Sequence, residues 1–110
     1  MAAELIRGDT WLRQWQVKDA QGVIIDLTGA SARLYVRDAK LLKISEASTA
    51  TGEIIIDGAA GLITLRIDAE VTRLYPIGKH KFDLEVTDSN SIVKTYETET
   101  LHVLADITYD

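Results

Sequence analysis

The sequence predicts an all-β domain: an immunoglobulin-like antiparallel β-sandwich of about seven to nine strands, with one short helical turn near residues 69–74. Three observations lead there. Apolar and polar residues alternate with period two through most of the chain, which places one face of each strand inside and the other in water. Turn-forming clusters of Gly, Asp, Asn and Ser interrupt the alternation about every 8 to 12 residues. A chain of 110 residues with 46% hydrophobic content supports one core and has no room for a second, so residues 1–110 read as a single domain.

The first alternating segment is WLRQWQV, with Trp11, Trp15 and Val17 on one face and Arg13 between them. Asp19 to Gly22 read as a turn, and residues 23–27 as a short returning strand closed by Asp26, Thr28 and Gly29. From residue 30 the alternation is clean: Ala30, Ala32, Leu34 and Val36 against Ser31, Arg33, Tyr35 and Arg37. Residues 41–44 continue that strand or begin its partner, and the Ser, Thr and Ala content of residues 45–52 predicts a loop. The β-branched run at 54–56 and the alternation of Ile63, Leu65 and Ile67 form a hairpin about the DGAAG turn. Asp68 is placed to N-cap the single helical turn, which Pro76 and Gly78 end. Phe82, Leu84 and Val86 then face in, DSNS reverses the chain, and residues 92–108 form a long strand with Leu101, Val103 and Ile107 inward. One straight strand of that length is unusual, so a bulge near Glu99 is expected.

Composition excludes several classes of function. Cysteine is absent, so there are no disulfides, thiolate metal sites or thiol nucleophiles, in keeping with a reducing cytoplasm. The opening residues lack the basic and apolar regions of a signal peptide, and no apolar run approaches the ~20 residues that span a bilayer. The expectation is a protein not secreted by a signal peptide and without a membrane partner. The net charge is −5 and the basic residues are scattered along the sequence, which argues against nucleic acid as a partner.

The search for chemistry yields candidates with ordinary alternatives. His80 and His102 fall on different strands, with no nucleophile or carboxylate at a spacing that completes a triad, and no HExxH pattern is present. They read as strand residues at a sheet margin. Asp83, Glu85 and Asp88, and separately Glu97 and Glu99, offer oxygen ligands for Ca²⁺, but alternating carboxylates on a strand usually form its solvated face. No catalytic residue, metal or cofactor is therefore expected. Arg7, Gly8 and Asp9 spell RGD; without secretion this reads as a turn made by Gly8, with Asp9 capping the next strand's first amides. Trp11, Arg13 and Trp15 form the candidate interface. Two tryptophans on one strand face fill a core, meet a subunit, or stack on sugars; the last makes a carbohydrate- or cell-surface-binding module the alternative function.

Taken in order, RGDTW, DLTGA, RLYVRD, GLITLRIDAEVTRLYPIG, KHKFDLEVTD and VLADIT resemble the pattern of small tail and baseplate proteins of bacteriophages and prophages. The shared element is similar to the N-terminal β-sandwich domain of phage baseplate upper proteins. The resemblance implies a non-enzymatic virion structural protein, made in the bacterial cytoplasm and then part of the virion. It also implies a homo-oligomer that docks onto other tail or baseplate proteins.

Overall fold

In the computed structural model, which describes residues 2–106, the alternating segments face one another across two sheets. The strands are β1 (Ala2–Ile6), β2 (Trp11–Gln16), β3 (Ser31–Arg37), β4 (Lys43–Ser48), β5 (Ile54–Asp57), β6 (Leu62–Ile67), β7 (Gly78–Thr87) and β8 (Val93–Leu104), with α1 (Ala69–Thr72) between β6 and β7. One sheet has the order β1-β8-β7-β3-β4, the other β2-β6-β5. The expected all-β sandwich with a single helical turn is therefore what the chain forms. Every pairing is antiparallel except β1 with β8, which run parallel.

The period-two pattern explains the layering. Ala32, Leu34 and Val36 of β3 and Phe82 and Leu84 of β7 turn inward from the larger sheet, and Ile54, Ile63, Leu65 and Ile67 meet them from the smaller one. Phe82 is the aromatic centre: Trp11 meets it edge-on at 5.3 Å between ring centroids, and Trp15 lies tilted at 6.4 Å. Burial of such side chains contributes roughly 1.5–3 kcal/mol each, so this trio makes a large contribution to the inter-sheet contact.

Several elements differ from expectation, each for a local reason. β1 was not distinguishable as a strand, because its backbone bonds are met by β8, nearly a hundred residues away in the chain. Residues 23–27 form no strand, only an isolated bridge between Lys18 and Ile24; the Ile25 and Leu27 amides bond instead to the carbonyls of Val17 and Gly58. The first part of the expected 45–52 loop is β4, whose pairing with β3 buries Ala47 and overrides weak strand propensity. Asp68 begins α1 but makes no side-chain cap: its carboxylate accepts from Arg66 Nε at 3.1 Å, and its backbone carbonyl takes the Val71 and Thr72 amides. The β8 bulge falls at Tyr96, skipped between the Leu84–Glu97 and Glu85–Thr95 pairs, and not at Glu99. Leu101 and Val103 face inward as expected, while Ile107 lies outside the described residues.

Candidate functional site

The three residues marked as an interface are drawn together inside the sandwich. Trp11 and Trp15 are only 4% and 7% exposed, both against Phe82. Arg13, on the same face, crosses the gap between the sheets and donates from Nη2 to Glu99 Oε2 at 2.7 Å, its guanidinium carbon 5.1 Å from the Trp15 ring centre. The rings are thus spent on the chain's own core, and they leave no open platform on which a sugar or a partner can stack. This corrects both the interface and the carbohydrate-binding expectations. Glu99 is 6% exposed, so the link between β2 and β8 has a buried carboxylate and a partly exposed guanidinium. Trp15 Nε1 has no hydrogen-bond partner there.

The remaining polar candidates do not converge. His80 points inward, and its Nε2 donates to the Pro76 carbonyl at 2.6 Å; Nδ1 is buried without a partner. His102, in register with Lys79 and Glu4, lies on the opposite face of the same sheet. Asp83 accepts from the Thr98 hydroxyl, Glu85 pairs with Arg33, and Glu99 pairs with Arg13. Among the described residues, no three His, Cys, Asp or Glu side chains gather closely enough to hold a metal ion. The RGD turn is built by Gly8 at φ +94°, as expected, but Asp9 does not cap β2. Instead Thr72 of α1 holds the turn, its hydroxyl accepting from Gly8 N–H and donating to the Asp9 carbonyl at 2.7 Å. Tyr75 is buried with its hydroxyl donating to Ser45 Oγ; burial raises the phenol above its ordinary value of 10.0, the hydrogen bond pulling the other way.

The surface carries a repeated device that the sequence spelled out: an Asp followed four residues later by an apolar residue, in DAQGV, DAKLL and DSNSI. In each turn the Asp carboxylate accepts the amides two and four residues on. The fourth residue takes a left-handed conformation, at φ 82° for Gly22, 64° for Leu41 and 65° for Ser91. The fifth, Val23, Leu42 or Ile92, stands in solvent. Gly and, less well, Ser suit the left-handed position; leucine does not.

Strand direction sorts these turns to two ends of a molecule 45 Å long. Arg37 pairs with Lys81 and Ser31 with Thr87, so the 38–42 turn is at the end where β7 begins and the 88–92 turn at the other. The first end exposes Leu41, Leu42, Leu74 and Ile77. Here the basic residues that are scattered in sequence come together: Arg33, Arg37 and Lys43 all lie within 5.8 Å of the Tyr35 ring centre, with Lys81 opposite Arg37. Glu85 and Glu46 partly neutralise this group through Arg33 and Lys43. The second end holds a groove of about 250 Å³ between the 17–28 connection and the β7–β8 hairpin, lined mainly by Val17, Ile25, Leu27, Val86, Ile92 and Tyr96. A wider hollow of about 430 Å³ between β1 and β2 is lined by Leu5, Asp9, Trp11 and Leu104 among others and gathers no reactive set.

No family model matches the chain, and no curated protein matches it in sequence. Among solved structures, the crystal structure of CopC from Methylosinus trichosporium OB3b is similar, with a TM-score of 0.54 and 10% identity over 94% of this chain and 84% of that one. At that identity the likeness speaks to the shared β-sandwich alone. It also overturns the phage tail and baseplate assignment: the pieces that suggested it are strand and turn patterns that a sandwich of this kind shares without common function.

Proposed function

We propose that the chain is a non-enzymatic β-sandwich module whose work is to associate with further copies of itself. The distribution of side chains carries this reading: the aromatic and ionic candidates are engaged within the chain, while large apolar residues stand in solvent at both ends. Scattered apolar residues are ordinary on a surface, but groups of them beside a groove are the usual material of protein contacts. His80 and His102, on opposite faces of one sheet, support the non-enzymatic part of the reading. Sedimentation over a range from about 1 μM to about 1 mM tests it. The weight-average mass should rise with concentration; the mass of one chain throughout the range would overturn self-association.

A further inference from the structure

We propose that the groove between the 17–28 connection and the β7–β8 hairpin binds a small carboxylate with an apolar body, a short aliphatic acid. The inference does not depend on self-association. Apolar side chains line the groove at graded depth: Val17 and Leu27 are buried, Val86 and Tyr96 are partly buried, and Ile25 and Ile92 are exposed at its rim. The chain itself fixes both walls. On one side the Val17 and Leu27 amides donate to the Gly61 and Gly58 carbonyls, and the bridge between Lys18 and Ile24 folds the connection against itself. On the other side the β7–β8 ladder carries a bulge whose extra residue is Tyr96, and a bulge re-aims the side chain it inserts. That ring lines the groove, and its hydroxyl donates to the Gln16 carbonyl at 3.3 Å, tying β8 to the residue before the connection. A preformed apolar hollow with a few polar groups is the usual form of a small-molecule site.

Charge selects an anionic head group. Lys18 on the connection and Lys94 on β8, opposite Val86 in the ladder, line the groove from its two walls. Among the described residues, neither ammonium is paired with a carboxylate. Asp88 is the carboxylate in the lining, and its Oδ1 already accepts the Asn90 and Ile92 amides. Asp19 and Asp26, on the same connection, are likewise engaged by the amides of Gln21, Val23 and Thr28. The lining thus sets two cations against one hydrogen-bonded carboxylate, which favours an anion over a cation. Size sets the body: about 250 Å³ holds about eight non-hydrogen atoms at the roughly 30 Å³ that a water occupies in the liquid, the size of a carboxylate on a five-carbon chain. Lysine stems also lie on apolar surface without any ligand, and the experiment separates that role from recognition of an anion.

Hexanoate, hexanamide and acetate are titrated into the isotope-labelled chain at one fixed protein concentration, with backbone amide shifts read by NMR. Hexanoate should move the amides of Val17, Ile25, Val86, Lys94 and Tyr96 together and saturably, with a Kd on the order of 1 mM. Hexanamide, of the same size but uncharged, and acetate, which lacks the body, should each bind about tenfold or more weakly. In the double variant Lys18→Gln with Lys94→Gln, both exposed, hexanoate should fall to the affinity of hexanamide while hexanamide is unaffected. Thermal unfolding at the wild-type temperature confirms that the variant is folded. Equal affinities for hexanoate and hexanamide, or a double variant that binds hexanoate as the wild type does, overturn recognition of the anion. Hexanoate shifts confined to residues outside the groove, or no saturable shift up to about 50 mM, overturn the site. Sedimentation of the unliganded chain is read separately, so failure here leaves self-association standing, and the reverse.

Discussion

Leucine at a left-handed position is an unfavourable choice, and its effect is measurable. Leu41→Gly should raise the stability to urea by about 1 kcal/mol, because the turn and its Asp38 bonds stay intact while the Cβ clash is removed. The reciprocal change, Gly22→Leu in the matching turn, should cost a similar amount; equal midpoints for both variants and wild type would refute the strain. Inside the sandwich, the Arg13–Glu99 pair is judged by removing one partner at a time. Arg13→Leu strands the buried Glu99 carboxylate and should cost about 3 kcal/mol. The double change Arg13→Leu with Glu99→Leu should recover most of that loss, because two apolar groups of similar volume need no desolvation. A double-mutant cycle in urea gives the coupling, and additive losses would show that the pair is not coupled.

At the level of elements, one close approach decides how the 17–28 connection is held. A Cβ on Gly58, in the β5–β6 turn, would lie 2.7 Å from Thr28 Cα, and the Gly58 carbonyl accepts the Leu27 amide at 2.8 Å. Gly58→Ala should therefore destabilise by roughly 1–3 kcal/mol and raise amide exchange at Leu27 ahead of β3 or β7. An unchanged exchange rate at Leu27 would mean that the connection is not pinned there. Much of this architecture was legible in the sequence: the inward residues of β3, β6 and β7 follow from alternation, and α1 from its place between Asp68 and Pro76. What was not legible depends on partners far along the chain. β1 and β4 have weak strand signals and are made strands by β8 and β3, and the backbone of residues 23–27 finds its partners in Val17 and Gly58. Trp11, Arg13 and Trp15 were correctly placed on one face, but whether that face met solvent depended on Phe82 and Glu99, more than sixty residues on. The threefold Asp turn was not read from the sequence, where 19–22 and 88–91 stand as separate turns; backbone angles show Leu41 in the left-handed place that Gly22 and Ser91 hold in the other two.

For the whole molecule, alkaline pH reports how tightly the two sheets close over Tyr75. Its phenol titrates above 10.0 when folded and near that value when unfolded, so the stability tied to its burial is fully present below pH 10.0 and is lost as pH rises through the folded value. Tyr75→Phe should flatten the stability profile above pH 10 relative to wild type, at the expense of the Ser45 hydrogen bond at neutral pH. Parallel profiles would place the titration elsewhere. The parallel pairing of β1 with β8, from Ala2 opposite Thr100 to Ile6 opposite Leu104, bears on the chain's birth as well as its end state. On a ribosome β1 must stay unpaired until β8 has emerged, nearly a hundred residues later, with β2 similarly waiting for β6. The β3–β4, β5–β6 and β7–β8 hairpins form from neighbouring sequence. Closure of the larger sheet is thus late: β1 is held open while the sequence between is made, and the sheet is completed when β8 follows.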